Sequence, residues 1–308
     1  MRVLFEPKPE LADSLTYDIT AWEAHYSFGV EGYAIQGQVE VQPISFDTES
    51  ELTPVVSTPY AYLAEWKSFD DAQFLAHLFK QGVRARYAEE SFSIQGKNYN
   101  PGTLVITRKG NEKLGARFDA ILKDAALVFN RSLVPVTSGL VTQGKDFGSS
   151  SVQFIEAPRV GVVAGEGTSS NMVGHIWHFF DQQLNYPVTM IPADQLSRMD
   201  WSDFNVIIMP SGSYGYRLTD SQLSDIRQWV RGGGSLIAVE GANAFLAGKD
   251  GFSLQRKSND SDDQDNPEDR LMRYGDAERA SVVDFNAGAI YPLHMDPTHP
   301  LAFGYGEQ

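Results

Sequence analysis

The chain has 308 residues, with 40 acidic and 25 basic side chains, a formal net charge of −15 and no cysteine. The negative balance opposes binding to nucleic acid or to an anionic membrane, because both require clustered Lys and Arg. The lack of cysteine excludes disulfides, thiolate metal sites and cysteine nucleophiles. A hydrophobic content of 42% predicts a folded protein, and the length suffices for two domains.

The sequence predicts neither a membrane-spanning segment nor an N-terminal signal peptide. No apolar run approaches the roughly 20 residues that span a bilayer, and Met1–Pro9 lacks the apolar core and cleavage site of a signal peptide. We therefore expect a soluble chain. The first residues resemble the middle of a domain, and Gly304–Gln308 follow an apolar segment without a closing helix. We expect an excised part of a longer protein.

The first half of the sequence predicts an N-terminal α/β domain over residues 1–150. Residues 1–57 have a mixed pattern that predicts an irregular or extended lead-in. From residue 58, short apolar runs typical of strands alternate with amphipathic segments typical of helices. The predicted strands are 60–64, 84–88, a hairpin over 92–100, 102–107 and 134–137, and the predicted helices begin at Ser68 and near Leu114.

The second half predicts a separate α/β domain over residues 158–308, truncated at its C-terminus. Alternating strands and helices imply a doubly wound, mostly parallel sheet that is covered on both faces. Thr219-Asp-Ser-Gln222 is a capping box that begins one of its helices. The predicted strands are 159–164, 186–191, 204–209 and 235–239, and a further predicted helix carries Met172 to Leu184.

The most informative motif follows the last of these strands. The apolar run Ser235–Val239 leads into a tight turn and a new helix, as at the nucleophile elbow of hydrolases. Glu240 occupies the position of the nucleophile and Gly241 follows it, with no Ser or Cys. One interpretation is an ordinary turn, in which Asn243 caps the helix and Gly241 supplies unusual backbone angles. The other makes Glu240 an acid, a base or a ligand contact at the carboxyl end of the sheet.

A second loop follows the preceding strand of the predicted sheet. Pro210–Gly215 contains Ser211, Gly212 and Ser213. Small residues let backbone N–H groups face a ligand, as an oxyanion hole requires, and the two hydroxyls can donate hydrogen bonds. The alternative is a glycine-rich connection that binds nothing. We group these three residues with Glu240 as a candidate pocket.

A third loop is a candidate anion site. Gly165, Glu166, Gly167 and Ser169 lie just before a helix, where exposed amides and the helix dipole favour anions. The loop has neither the third glycine nor the lysine of a nucleotide-binding fingerprint. The alternative is that it only caps the helix.

The histidines add one more candidate to this pocket. His299 is a candidate because a histidine late in the chain completes catalytic triads on sheets of this kind. With no nucleophile to serve, a structural role is the alternative. His175 and His178 lie three residues apart on a predicted helix but match no known metal motif. No metal site is predicted in this chain.

The segment from Pro158 to Gly248 resembles the class I glutamine amidotransferase-like fold, which is flavodoxin-like. Pro210-Ser-Gly212 stands where that family has its Pro-Gly-Gly oxyanion loop. Val239-Glu-Gly241 stands where its cysteine elbow belongs. The resemblance therefore implies a domain that has lost its nucleophile, without glutaminase activity through a thioester.

The whole chain also resembles the region that follows the peptidase domain in large bacterial zinc carboxypeptidase-like proteins. None of the six histidines has Glu three positions later, so the His-x-x-Glu zinc signature of the peptidase is missing. The resemblance implies that zinc and peptide hydrolysis belong to a peptidase domain outside this chain, and that the parent protein is exported. The segments that carry it are Leu15–Trp22, Gly102–Glu112, Gly165–Asn171, Trp177–Phe180 and Asp296–Gly304.

Three functions follow as hypotheses. The leading one is a non-catalytic accessory region without a cofactor of its own, which braces the peptidase domain of the parent or binds substrate or a partner. The alternative is an independent hydrolase or amidase that uses Glu240, His299 and the Ser211–Ser213 loop. The third is a module for a small molecule, a peptide or a glycan, with a groove lined by Trp66, Tyr214 and Tyr216.

Overall fold

The computed structural model describes most of residues 58–256 and a few shorter stretches. The described residues are 30–33, 37, 58–196, 198–216, 218–256, 273 and 293–305. They divide into two compact units, one with the described residues before 48 and from 273 to 295, the other with those of 58–256 and 296–305. In the first unit Val30, Tyr33 and Leu293 are exposed. The predicted lead-in over residues 1–57 lies almost entirely outside the described residues.

The first half of the second unit forms a five-stranded sheet in which all neighbouring strands are antiparallel. Its strands are β1 (Ala61–Ala64), β2 (Arg86–Ala88), β5 (Leu104–Thr107), β6 (Val134–Val136) and β7 (Val152–Phe154). Their order across the sheet is β6-β1-β5-β2-β7. A separate hairpin and two helices complete this layer: β3 (Phe92–Ile94), β4 (Lys97–Tyr99), α1 (Phe69–Lys80) and α2 (Arg117–Val128).

Both faces of the antiparallel sheet are covered, so every residue of β1 and β5 is buried. On one face, Phe74 of α1 and Phe118 of α2 pack in a cluster with Tyr62 of β1. On the other face, Phe92 and Tyr99 of the hairpin belong to a second cluster. Continuous burial explains why these strands appear in the sequence as unbroken apolar runs rather than as alternating ones.

Helix α1 begins where its sequence predicts. Ser68 is the N-cap, and Asp71 Oδ2 accepts a hydrogen bond from the Ser68 N–H at 2.8 Å in a capping box. The Asp71 side chain is only 4% exposed, and Arg131 Nη1 lies 3.1 Å from its other oxygen. This buried carboxylate therefore joins the start of α1 to the segment that leads into β6.

The second half forms a four-stranded sheet in which all neighbouring strands are parallel. Its strands are β8 (Val160–Ala164), β9 (Val188–Pro192), β10 (Val206–Met209) and β11 (Ser235–Ala238), in the order β11-β10-β8-β9. Its helices are α3 (Ser170–His178), α4 (Asp220–Arg231) and the short α5 (Gly241–Leu246). A π-helical turn, Phe179–Gln183, continues directly from α3.

The two faces of the parallel sheet are covered unequally. The larger cluster includes Ile226 of α4 and Ala242 of α5, together with Ile207 and Met209 of β10. The cluster on the other face has three buried residues, all of them in strands, and α3 has no buried residue. Ile237 of the edge strand β11 is 48% exposed. One face of this sheet is therefore a full core and the other is thin.

The mixed α/β architecture and the parallel sheet of the second half are confirmed. The sheet of the first half is antiparallel throughout, and residues 152–154, which lie between the two predicted domains, form its edge strand β7. Val152-Gln-Phe154 alternates apolar and polar side chains, a signal for a half-buried strand. None of the helices in the described part of the chain is long and apolar enough to cross a membrane.

Phe303, within the described segment 296–305 of the second unit, packs against the antiparallel sheet. The ring of Phe303 lies 6.2 Å from that of Tyr87 in β2. Gly102 has φ +88°, and a Cβ there would lie 2.8 Å from Phe303 Cβ. Glycine is therefore required at this position both by its backbone angle and by the approach of Phe303.

Candidate functional site

Three loops meet at the carboxyl edge of the parallel sheet, and each of them was singled out in the sequence. We call them together the elbow site, which comprises residues 165–169, 210–215 and 239–241. They follow β8, β10 and β11, three strands that are adjacent in the sheet. Parallel strands bring their carboxyl ends to one edge, where open α/β sheets bind ligands.

The first two loops are joined by backbone hydrogen bonds. The Ser169 N–H donates to the carbonyl of Ser211 at 2.8 Å, and the Ser213 N–H donates to the carbonyl of Gly167 at 2.8 Å. This pair of bonds forms an isolated antiparallel bridge beyond the ends of the strands. The two loops therefore hold each other in place.

Two glycines allow the loops to approach so closely. A Cβ on Gly212 would lie 2.6 Å from the carbonyl oxygen of Gly167 and 3.0 Å from Cα of Thr168. A Cβ on Gly241 would lie 2.9 Å from the carbonyl oxygen of Gly212. Backbone atoms cannot move aside as side-chain ends do. The elbow site is thus tightly packed around Gly212.

Glu240 has the backbone of a nucleophile elbow. Its φ is 45° and its ψ is −107°, one of four non-glycine residues with positive φ among the described residues. Such a conformation costs about 1–3 kcal/mol and persists only where the surroundings enforce it. A strained residue between a strand and a helix is the geometry that presents a nucleophile in hydrolases. The sequence-based prediction of an elbow therefore agrees with the backbone.

The alternative interpretation of this turn was wrong in two details. Asn243 lies inside α5 and does not cap it, because the helix begins at Gly241 with Glu240 at the N-cap position. Gly241 does not have a positive φ; Glu240 does. Glycine is needed at position 241 because the Gly212 backbone leaves no space for a side chain.

The amide that follows the elbow residue is already hydrogen-bonded. In hydrolases of this kind, the N–H after the nucleophile forms part of the oxyanion hole. Here the Gly241 N–H donates to Ser211 Oγ at 3.2 Å. The hydroxyl oxygen of Ser211 thus occupies the acceptor position that a substrate oxyanion would take.

The side chain of Glu240 is exposed. Within the described part of the chain, its carboxylate forms no hydrogen bond or ion pair; only its backbone carbonyl is engaged, by the N–H of Ala244 at 3.0 Å. A carboxylate acts as nucleophile or base when an acid or a cation assists it. The structure shows the elbow residue without such an assistant among the described residues.

His299 lies in the segment that packs on the antiparallel sheet. Its Nδ1 accepts the N–H of Leu301 at 3.2 Å and caps a short 3-10 helix, Pro300–Ala302. Asp296 Oδ1 accepts the N–H of Thr298 at 2.9 Å and its hydroxyl at 2.7 Å, so this carboxylate organises the same turn. No hydrogen bond or ion pair between described residues joins His299 to Glu240.

The candidate anion loop is partly engaged within the protein. Ser169 Oγ accepts the N–H of Met172 at 3.3 Å, which is the capping role. The Ser169 N–H is used by Ser211, and the Thr168 N–H donates to the Gly165 carbonyl at 3.1 Å. Gly165, Glu166 and Gly167 are exposed.

The proposed aromatic groove is not formed as predicted. Tyr214 is 2% exposed, and its hydroxyl donates to the Pro210 carbonyl at 2.6 Å within the second loop of the elbow site. Burial raises its pKa to about 12. Tyr216 is 99% exposed. Trp66 lies close to Gly304, beside the antiparallel sheet. Tyr214 is therefore a core residue that supports the loop.

The sequence has one pair of closely spaced histidines, His175 and His178, as potential metal ligands. In the part of the chain that the structure describes, no group of three or more His, Asp or Glu side chains is placed to hold a metal ion. His175 and His178 are both exposed on α3.

Sequence reasoning missed the role of Ser211 as acceptor for the Gly241 amide, because the two residues are 30 positions apart and only the sheet order brings them together.

Comparison with known proteins identifies no relative: no protein-family model, no curated protein and no solved structure matches the chain.

Proposed function

We propose that this chain is a non-catalytic accessory region of a zinc carboxypeptidase-like protein, with an amidotransferase-like domain that keeps its elbow without its nucleophile. The observation that carries the proposal is the hydrogen bond from the Gly241 N–H to Ser211 Oγ. It places a serine side chain of the protein where a reacting oxyanion would need to bind.

The strand order supports the amidotransferase-like part of the proposal. In chain order, the first parallel strand β8 lies between the second, β9, and the third, β10, and the fourth, β11, lies beyond β10. Flavodoxin-like sheets begin with this order. The order reverses between β8 and β10, and two loops of the elbow site follow these two strands. This switch point is where such folds bind ligands.

The surroundings of Glu240 support the absence of chemistry. Acyl transfer at an elbow needs a nucleophile, a base and an oxyanion hole within reach of one another. Glu240 occupies the nucleophile position of the elbow, and the Gly241 N–H donates its hydrogen bond to Ser211. His299 accepts a hydrogen bond from its own helix turn. Among the described residues, the Gly241 amide and His299 are thus already hydrogen-bonded, and the Glu240 carboxylate has no partner.

The role that remains for the elbow site is binding or bracing. Its loops are cross-linked by backbone hydrogen bonds, which suits a rigid surface for the peptidase domain of the parent or for a peptide, a glycan or a small molecule. In this proposal the parent is exported, and zinc is held by the peptidase domain rather than by this chain.

Zinc content and peptidase activity of the purified chain test the proposal. We expect substoichiometric zinc by elemental analysis after dialysis, and no release of C-terminal amino acids from blocked dipeptides. Zinc at one equivalent per chain together with peptide hydrolysis that chelators abolish would refute a non-catalytic role.

A second candidate function is an independent hydrolase or amidase that uses Glu240, His299 and the Ser211–Ser213 loop. The strained backbone of Glu240 favours it, because strain is often kept where a side chain must be presented. If this hypothesis holds, Glu240→Gln and His299→Ala abolish the same hydrolytic activity. The control Asp220→Asn, at the exposed start of α4, leaves that activity unchanged.

A further inference from the structure

Two arginines stack on one exposed phenylalanine at the edge of the antiparallel sheet. The guanidinium carbon of Arg86 lies 3.9 Å from the centroid of the Phe154 ring, and that of Arg84 lies 4.4 Å from the same centroid. Arg86 of β2 and Phe154 of β7 are register partners across the sheet. The Phe154 ring is 45% exposed. We call these three residues the arginine pair site.

Neither guanidinium has a carboxylate partner among the described residues. Arg86 Nη1 donates to the carbonyl of Phe147 at 2.9 Å, and Arg86 Nε is buried without a hydrogen-bond partner. The Arg84 guanidinium has no hydrogen bond or ion pair to a described residue, and it lies over the ring of Phe154. Arg108 and Arg131, in contrast, each form an ion pair with an aspartate.

The charge of Arg84 acts on one acidic side chain, Glu112, which is hydrogen-bonded elsewhere. The Glu112 carboxylate accepts the N–H of Gly110 at 2.9 Å. Hydrogen bonds from backbone N–H groups are the main cause that holds the pKa of Glu112 below its usual range, and the charge of Arg84 is the smallest. Glu112 therefore does not form an ion pair with the arginine pair site.

This arrangement keeps two positive charges together in a chain with a net charge of −15. Both charges lie on one ring, so they are closer to each other than about one Debye length, ~10 Å at 0.1 M salt. Stacking on an aromatic ring offsets only about 0.5–1 kcal/mol of the repulsion for each cation. An anion bound beside the two guanidinium groups would relieve the repulsion and accept hydrogen bonds from their exposed N–H donors.

We propose that the arginine pair site binds an oxyanion, a carboxylate or a phosphate group carried by a small molecule. The planar guanidinium presents two parallel N–H donors, which matches the paired oxygens of both groups. The exposed ring of Phe154 offers an apolar surface beside the bound anion for the rest of the ligand. This inference does not depend on the role proposed for the elbow site.

Titration of the chain with inorganic phosphate and, separately, with succinate tests the inference. The side-chain Nε–Hε signals of the arginines in nitrogen-15 spectra report binding directly, with sodium chloride added to hold the ionic strength constant. The primary variant is Arg84→Gln, because this side chain is exposed and we expect the fold to tolerate its loss. Phe154→Leu is a second variant that keeps an apolar side chain and removes the ring.

The matched control is Arg117→Gln, which removes one exposed arginine at the start of α2 and changes the net charge equally. We expect saturable shifts of arginine signals with at least one probe, weakened about tenfold by Arg84→Gln and within twofold of wild type in Arg117→Gln. Saturation by phosphate alone identifies a phosphate ligand, and saturation by succinate alone identifies a carboxylate ligand. Shifts that do not saturate with either probe, or an equal loss in Arg117→Gln, would overturn the inference.

Discussion

The two sheets of this protein differ in how they are buried and in where their loops lead. The antiparallel sheet has a cluster of buried residues on each face, and its strands β1 and β5 are buried throughout. The parallel sheet has a full core on one face only, and its edge strand β11 is half-exposed. The loops of the parallel sheet, however, converge on one edge and form the elbow site.

This difference follows from the direction of the strands in each sheet. A sheet whose neighbouring strands are antiparallel distributes its loops over both ends, so each end collects only a part of them. A parallel sheet collects the loop after each strand at the same edge, and sequence can vary there without disturbing the core. We therefore expect the antiparallel layer to dominate the free energy of unfolding, and the parallel layer to carry the binding surface.

The largest expected effect compares one phenylalanine from each layer. Phe74 is fully buried between α1 and the antiparallel sheet, whereas Phe180 packs half-buried on the thin face of the parallel sheet. Phe74→Ala should lower the free energy of unfolding by about 3–5 kcal/mol, and Phe180→Ala by only about 1–2 kcal/mol. Urea denaturation followed by circular dichroism measures both. Equal losses would remove the distinction between the two layers.

The next effect concerns the close packing of the elbow site. Gly212→Ala places a Cβ 2.6 Å from the backbone oxygen of Gly167, and we expect a cost of about 1–3 kcal/mol from the strain of overpacking. Gly215→Ala is the matched control in the same loop, because nothing lies within 4 Å of its Cβ position. It should stay within about 0.5 kcal/mol of wild type. A tolerated Gly212→Ala would mean that the loops are not held together as described.

A smaller effect tests the strain at the elbow. Glu240 has φ 45°, a region that glycine enters without cost and that other residues avoid. Glu240→Gly should therefore be more stable than Glu240→Ala by about 1 kcal/mol, in the same thermal or urea denaturation. Both variants remove the carboxylate, so the comparison isolates the backbone. Equal stabilities would show that position 240 is relaxed.

The smallest expected effect is a dependence on alkaline pH in both layers. Burial, followed by the hydrogen bond from its hydroxyl to Asp119, raises the pKa of Tyr62 to about 12, and burial raises that of Tyr214 to about 12. An unfolded tyrosine ionises near pH 10. The stabilisation is thus fully present below pH 10 and is lost as the pH rises through 12.

Urea denaturation at pH 8, 10 and 11 measures this dependence. Tyr62→Phe and Tyr214→Phe should each reduce the loss of stability between pH 10 and 11, one in each layer. The exposed Tyr216→Phe serves as a control that leaves the loss unchanged. A variant at position 62 or 214 that keeps the full wild-type loss would show that its hydroxyl is not shielded in the folded protein.

Local signals in the sequence predicted the elements well. The capping boxes at Ser68 and Thr219 mark two helix starts where the structure has them, since both hydrogen bonds of a capping box depend on residues three apart. The apolar runs of β8 and β10 predicted buried parallel strands. The grouping of Glu240 with the Ser211–Ser213 loop followed from strand direction, and the structure brings these two loops together.

The sequence could not give what depends on contacts between distant residues. Antiparallel pairing in the first half depends on which strands meet, and a short apolar strand has the same pattern in either direction. The hydrogen bond between Ser211 and Gly241 and the stacking of Arg84 and Arg86 on Phe154 join residues at least 30 positions apart. Only the folded sheet places them side by side.

The most direct test of the central claim, that the elbow site keeps its geometry without catalysis, is the hydrolysis of glutamine and of 4-nitrophenyl acetate. Wild type, Glu240→Ala and Ser211→Ala are compared at equal concentration, with folding of each variant verified by circular dichroism. The claim predicts no glutamine hydrolysis and one common background rate of ester hydrolysis for all three proteins. A wild-type rate on either substrate that Glu240→Ala abolishes while the fold is intact would contradict it.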